Sequence, residues 1–262
     1  MNFIRFDNLS VYSELQHFTT TIDGGVSVGN YTSFNLGTSS GDELQNVIEN
    51  RKRFCKAIEI SPNRLFIPFQ THSNHVVAID RDFLHLPTEK QQKLLQNTDA
   101  LLTHEKGIAI GITTADCVPI LIYDPKKQVL AAIHAGWRGT VNKIVLKTIF
   151  KMIQEFNSKP EDLLAGIGPS ICQECFEVGE EVIEAFKEEE FPIEKIMIQN
   201  KQTLKYHIDL WKANKILLIQ EGISTRNIEI SGLCTVTHPN LFFSARRQTI
   251  HSGRMITGGI LK

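Results

Sequence analysis

Long apolar runs are missing from this chain: nowhere do about 18 apolar residues follow one another, so no segment reads as a membrane-spanning helix. The opening, MNFIRFDNLS, lacks the basic segment and long apolar stretch of a secretory leader, and a cytoplasmic protein with no membrane partner is expected. An excess of one charge is missing too. With 28 Lys and Arg against 29 Asp and Glu, the formal net charge is −1, and no basic run interleaved with aromatics occurs, which argues against a nucleic-acid partner. Cysteine is sparse and odd in number, five in 262 residues, and a chain of this size needs no disulfide staples, so Cys55, Cys117, Cys172, Cys175 and Cys234 are expected as free thiols. The nine histidines include no His-x-His pair, so the imidazole-rich centre of a multicopper oxidase has no sequence support. Repeats, low-complexity tracts and Pro/Gly/Ser-rich linkers are absent, and one domain over 1–262 is expected.

What the chain does contain is concentrated in two short stretches. Thr114-Ala115-Asp116-Cys117-Val118-Pro119 is followed by His134-Ala135-Gly136-Trp137-Arg138-Gly139. Between them, Val118 to Tyr123 is a β-forming apolar run, Asp124-Pro125-Lys126-Lys127 reads as a type I turn, and Gln128 to Ile133 returns. A four-residue loop closed by Tyr123 and Gln128 would set Cys117 directly opposite His134, with Cα atoms roughly 4.5–5.5 Å apart. Both side chains would then leave the same face of the sheet; a shift of one residue would separate them.

Around this hairpin the pattern mixes elements. A helix is expected from Asp42-Glu43 through Ile60, strands over 64–69 and 76–80 flanking Gln70-Thr71-His72, and a strand over 107–113. After the hairpin come a helix from Thr140 capped by Gly139-Thr140, a strand over 163–168, helices over 180–190 and 209–220, and a strand over 228–233 that delivers Cys234 to its end. Strands alternate with helices without a strict βαβ rhythm, so the fold class is mixed α/β (α+β), a layered sandwich of sheets and helices.

Three chemistries fit Cys117 and His134. Zinc accepts thiolate and imidazole and, in catalytic sites, uses three protein ligands with one position open, so a third ligand is required. Alternatively Cys117 is a nucleophile with His134 as base and Asp116 orienting the imidazole. Copper redox chemistry is the third reading and is disfavoured by the histidine spacing. The helix start at Gly139-Thr140 beside Arg138 offers a cradle for an anion. Cys172-Gln173-Glu174-Cys175 has the spacing of a zinc knuckle or redox dithiol, but without a second CxxC it reads as ordinary surface sequence. His75 reads as a solvated neighbour.

Gln70-Thr71-His72, TADCVPILIYD from Thr114, HAGWRGT from His134, GPSI from Gly168, Phe176-Glu177-Val178-Gly179, and FFSARR through SGR together resemble the YfiH/YlmD proteins, also called laccase-domain or polyphenol-oxidase-like proteins. The likeness spans nearly the whole chain. It implies one zinc ion on His72, Cys117 and His134, and a sandwich of mixed sheets covered by helices, related to bacterial toxin and cysteine-hydrolase domains. It also implies purine nucleoside phosphorolysis (adenosine, inosine, guanosine, methylthioadenosine) with adenosine deamination, so that nucleoside and phosphate are the expected partners; a monomer is expected. Names in the family also point to copper-dependent phenol oxidation and to editing of peptidoglycan precursors, the latter using Cys117 and His134. Within that frame Asp116 is expected to move protons and Arg138 to face the reacting phosphate, with Asn35, Thr140 and Arg247 as substrate contacts. One departure stands out: Ile22 occupies a position where the family pattern has arginine, and an aliphatic side chain cannot hold phosphate.

Overall fold

The computed structural model describes residues 2–262. Its strands are β1 (Phe3–Ile4), β2 (Leu15–Thr20), β3 (Leu65–Phe66), β4 (Val76–Ala78), β5 (Ala100–Thr103), β6 (Ala109–Thr114), β7 (Val118–Asp124), β8 (Val129–Ala135), β9 (Leu164–Ile167), β10 (Glu177–Val178), β11 (Met197–Gln199), β12 (Tyr206–Ile208), β13 (Ile228–Ile230) and β14 (Met255–Leu261). The principal helices are α1 (Leu44–Ala57), α2 (Trp137–Val141), α3 (Ile144–Phe156), α4 (Glu180–Glu188) and α5 (Leu210–Gln220). A mixed six-stranded sheet runs in the order β13-β9-β7-β8-β5-β4, a mixed five-stranded sheet in the order β1-β2-β14-β6-β3, and β10-β12-β11 form a small antiparallel ribbon.

The layering follows from where alternate side chains go. On the six-stranded sheet, Ile120, Ile122, Ala131 and Ile133 pack with Ile144, Val145, Ile149 and Met152 of α3 and Ala213 and Leu217 of α5. Their neighbours Leu121, Tyr123, Leu130 and Ala132 face the other way, against Ile110 and Ile112 of the five-stranded sheet. The far side of that second sheet, through Phe18, Ala109, Ile256 and Ile260, is covered by Phe54 of α1 and by Ile58. The result is a helix–sheet–sheet–helix sandwich, as the mixed composition led one to expect. Strands β7 and β8 are buried at every position, in keeping with the apolar runs VPILIY and VLAAI that make up most of them. Burying one Leu or Ile there contributes about 1.5–3 kcal/mol.

Two expectations are corrected here. The hairpin pairs Asp124 with Val129 and Pro119 with His134, which sets Cys117 across from Gly136 and not from His134. The cause is the Asp124 side chain, whose Oδ1 accepts from the amides of Lys126 and Lys127 at 2.9 and 3.0 Å and so completes the turn. With Gln128 in the left-handed region at φ 53°, the ladder gains one more rung. The shift amounts to two residues, so Cys117 and His134 keep a common face. The second correction concerns the helix after the hairpin. It starts at Trp137, with Gly136 as its N-cap, and Lys143, at φ 55°, separates α2 from α3. Gly139 and Thr140 therefore lie inside a helical turn, and no helix begins at them.

Other elements agree more closely. Asp209 caps α5 by accepting from the Lys212 amide at 2.8 Å, as expected from its place before the helix. The strands expected over 64–69 and 228–233 shorten to Leu65–Phe66 and Ile228–Ile230.

Candidate metal centre

His134 follows Ala132 and Leu130 on the inter-sheet face of β8, near the strand's end. Cys117 enters from the start of β7, and His72 from the turn between β3 and β4. Their donor atoms all lie within 4.8 Å of one another. His72 Nε2 is 3.8 Å from Cys117 Sγ, and the two imidazole rings are 5.0 Å apart at 65°. The three residues assigned as ligands from the sequence are thus brought together.

Asp99, fully buried, organises this group and is passed over by a reading of the sequence, since LQNTDALL carries no motif. Its carboxylate accepts the Nδ1–H of His134 at 2.7 Å. It also takes the amides of Thr71, His72 and Ser73 at 3.1, 3.0 and 2.8 Å, and the Ser73 hydroxyl at 2.7 Å. Three successive amides on one carboxylate hold the turn in which His72 sits at φ 62°, a backbone region that histidine enters only when its surroundings require it. With Nδ1 engaged, His134 presents Nε2 to the site, the arrangement in which a carboxylate fixes the tautomer of a ligating imidazole. Gln70 anchors the same loop: its amide exchanges hydrogen bonds with the backbone of Thr113 at 2.7 and 2.8 Å.

Cys117 and His134 attract each other as thiolate and imidazolium, and His134 would release its Nε2 proton on taking a metal ion. Burial alone would raise the Cys117 thiol, but the imidazoles of His134 and His72 outweigh it and draw its pKa down to about 6. Burial disfavours a charged His134, yet the Cys117 sulfur and the Asp99 carboxylate lift it to about 9. Burial likewise opposes ionisation of Asp99, and its hydrogen bond to His134 prevails, holding it at about 2. Gly136, opposite Cys117, leaves room for the group: a Cβ there would stand 3.0 Å from Cys117 Sγ and 3.1 Å from His72 Cδ2. One thiolate and two imidazoles, with a carboxylate behind one of them, fit a zinc ion with a position left open.

The donors open into a cavity of about 450 Å³, which is also lined by Gln70, Thr113, Ser39, Arg51 and Arg254. Arg51 and Arg254 bring positive charge. Burial lowers Arg51 to about 10, with Cys55 opposing, so it remains a cation at neutral pH.

The other residues singled out in the sequence have different surroundings, and none of them lines this cavity. The Asp116 carboxylate accepts from Thr235 Oγ1, Ser244 Oγ and the Arg246 amide at 2.6, 3.1 and 2.6 Å. It ties the loop before β7 to the segments carrying Thr235 and Ser244. Asn35 is fully buried, its Oδ1 accepting from the amides of Gly37 and Arg254 at 3.0 and 2.8 Å. Thr140 is buried within α2, bonded to Asn214 Nδ2 at 3.0 Å. Arg138 is exposed and stacks on Trp137 at 4.1 Å. Arg247 donates to the carbonyls of Phe242 and Thr235 at 2.6 and 3.4 Å. Ile22 packs with an apolar cluster around Phe242 and Phe243.

The sequence model of the family described as multi-copper polyphenol oxidoreductase laccase matches residues 16–262. The chain belongs to this family. Among relatives within it or like it, a protein of Bacteroides thetaiotaomicron named purine nucleoside phosphorylase is 45% identical over 97% of the chain and 94% of its own length. Adenosine deaminase RL5, from an unknown prokaryotic organism, is 40% identical over 93% of both. The crystal structure of YlmD from Geobacillus stearothermophilus superposes with a TM-score of 0.88 at 27% identity, covering 96% of this chain and 93% of that one. Laccase-family membership thus coincides with relatives named for purine nucleoside chemistry, and the YfiH/YlmD resemblance is upheld. No helix among the described residues is long and apolar enough to cross a membrane.

Proposed function

We propose that this chain is a zinc-dependent purine nucleoside phosphorylase that also deaminates adenosine. The observation that carries the reading is the convergence of His72, Cys117 and His134 on the wall of a cavity that also holds two arginines. His72, Cys117 and His134 would hold the ion, which when bound supplies Lewis-acid polarisation of an oxygen or activation of water.

The remaining roles fall to side chains of the chain. In phosphorolysis a phosphate oxygen bonds to the sugar C1′, the bond from C1′ to the purine nitrogen breaks, and the base leaves with a proton. Arg51, whose Nε donates to Leu36 O at 2.9 Å, faces the cavity as a cation able to orient the phosphate, and Arg254, whose Nη1 is held by Ser252 and Gly253, adds positive charge beside it. They supply what Ile22 does not. Asp99 keeps His134 in one tautomer, and Gln70 fixes the loop that carries His72. The substrates proposed are adenosine, inosine, guanosine and methylthioadenosine, and the names of the relatives support that class.

Phenol oxidation, which the family description suggests, is the second reading, since one cysteine with two histidines is also the donor set of single-copper electron-transfer sites. One experiment separates them. Metal-analysed protein is incubated with a nucleoside panel with and without phosphate, free base and inosine are read by chromatography, and oxygen uptake is followed with a phenol after copper loading. Phosphate-dependent base release supports the proposal; oxygen uptake with no base release replaces it.

A further inference from the structure

A second cluster of sulfur donors lies outside the site described above. Cys172 and Cys175 bracket a single 3-10 turn, in which the amides of Cys175 and Phe176 close on the Cys172 carbonyl at 3.2 and 3.0 Å. Cys234 arrives 62 residues after Cys172, beyond β13, and is seated by a bridge to Ser170: the Ser170 amide donates to Leu233 O at 3.2 Å and the Thr235 amide to Ser170 O at 3.0 Å. The three sulfurs lie within 4.8 Å of one another, and all three cysteines are free thiols. The third donor that the CxxC spacing lacks in sequence is therefore provided by the fold.

A buried cysteine commonly serves as a small apolar side chain. That account covers Cys234, which is 4% exposed. It does not explain why three sulfurs from two distant segments converge, with Cys175 only half-buried. The Cys172 amide donates to Cys234 Sγ at 3.3 Å, a contact that favours sulfur carrying negative charge. The donor cluster contains no carboxylate or imidazole, and an all-thiolate set selects soft ions over Mg²⁺, Ca²⁺ or Mn²⁺.

We propose that Cys172, Cys175 and Cys234 form a second metal site, for a thiophilic d10 ion, Zn²⁺ or Cu⁺. This inference does not depend on the nucleoside reading. Its place in the fold gives it a consequence for the first centre. The Ile171 amide donates to Asp116 O at 2.9 Å, and Thr235 Oγ1 donates to Asp116 Oδ1 at 2.6 Å. Both segments that carry the thiols thus grip the residue preceding Cys117, and an ion joining them clamps that frame.

The test uses the full chain, stripped of metal under reducing conditions, and titrated with Zn²⁺ in one arm and anaerobically with Cu⁺ in the other. Bound metal is measured after gel filtration, and alkylation of each cysteine is followed by mass spectrometry. In the better-binding arm the unsubstituted chain should retain two equivalents, Cys117→Ser one, and Cys117→Ser/Cys175→Ser none. In Cys117→Ser, metal at ten times its Kd should slow alkylation of Cys172, Cys175 and Cys234 about ten-fold. Circular dichroism of the doubly substituted chain, compared with Cys117→Ser, distinguishes loss of a ligand from loss of fold. The proposal is overturned if Cys117→Ser retains no metal in either arm with alkylation unchanged, or if a disulfide between Cys172 and Cys175 forms in place of metal retention under these reducing conditions.

Discussion

Asp99 accepts the Nδ1–H of His134 at 2.7 Å while its other hydrogen bonds hold the turn that carries His72. One buried carboxylate thereby sets the orientation of two of the three donors. Asp99→Asn keeps the shape but removes the charge, and its amide nitrogen cannot accept from the loop. Zinc affinity should fall about 10–100-fold, the usual cost of losing such a partner behind a ligating imidazole. Titration against a competing chelator measures it, and unchanged affinity would remove Asp99 from the account.

Gly136 tests the fit of the centre without touching a donor. Its backbone, at φ −61° and ψ 171°, suits alanine, so Gly136→Ala acts through space alone. The added methyl presses on Cys117 Sγ and His72 Cδ2. Thermal unfolding of the metal-free chain should show a loss of about 1–3 kcal/mol at most, while zinc content drops. Full zinc content would show that the donors have more freedom than their packing suggests.

Arg254 and Arg51 are assigned to phosphate. Losing one charged hydrogen bond costs about 1.5–3 kcal/mol, so Arg51→Gln should raise KM for phosphate by about 10–150-fold with a smaller effect on nucleoside binding. Steady-state kinetics with each substrate varied in turn checks this. An effect confined to the nucleoside would move the anion elsewhere.

Away from the site, His17 gives a pH dependence of stability. It is buried and accepts the Phe6 amide on Nε2 at 2.8 Å. Burial first, and Arg5 second, push its pKa from 6.5 down to about 4. The folded state thus favours neutral His17, and its contribution is complete above about 6.5 and lost as pH falls from there to about 4. The ceiling is about 3 kcal/mol. His17→Gln keeps an acceptor for Phe6 without titrating, so the two unfolding curves should converge toward pH 4. Curves that stay parallel would contradict the assignment.

The Cys117–His134 pair and the layered fold were legible because their signals are local or repeat with a period: a thiol and an imidazole at the ends of two apolar strands, and helical stripes such as that of α3. His72 rested on resemblance alone, since nothing near it in the chain points toward Cys117. The exact ladder was hidden because the Asp124 side chain, not the backbone pattern, completes the turn. The helix start was misjudged because Lys143, in a left-handed conformation no propensity signals, divides what reads as one stripe. The bonding of Asp116 and Asn35 was hidden in the sequence, since Thr235 and Ser244 reach Asp116, and Arg254 reaches Asn35, from distant segments, with only Gly37 a near neighbour. Asp99, and the meeting of Cys234 with Cys172, became visible only in the folded chain.

The most direct test of the central claim is phosphate-dependent release of base from inosine by Cys117→Ala, assayed beside the unsubstituted chain after metal analysis of both. Loss of a ligand should cost more than loss of its supporting carboxylate, so the rate should fall at least about 100-fold, with metal missing from the centre. Turnover at the unsubstituted rate by Cys117→Ala lacking that metal would contradict the account.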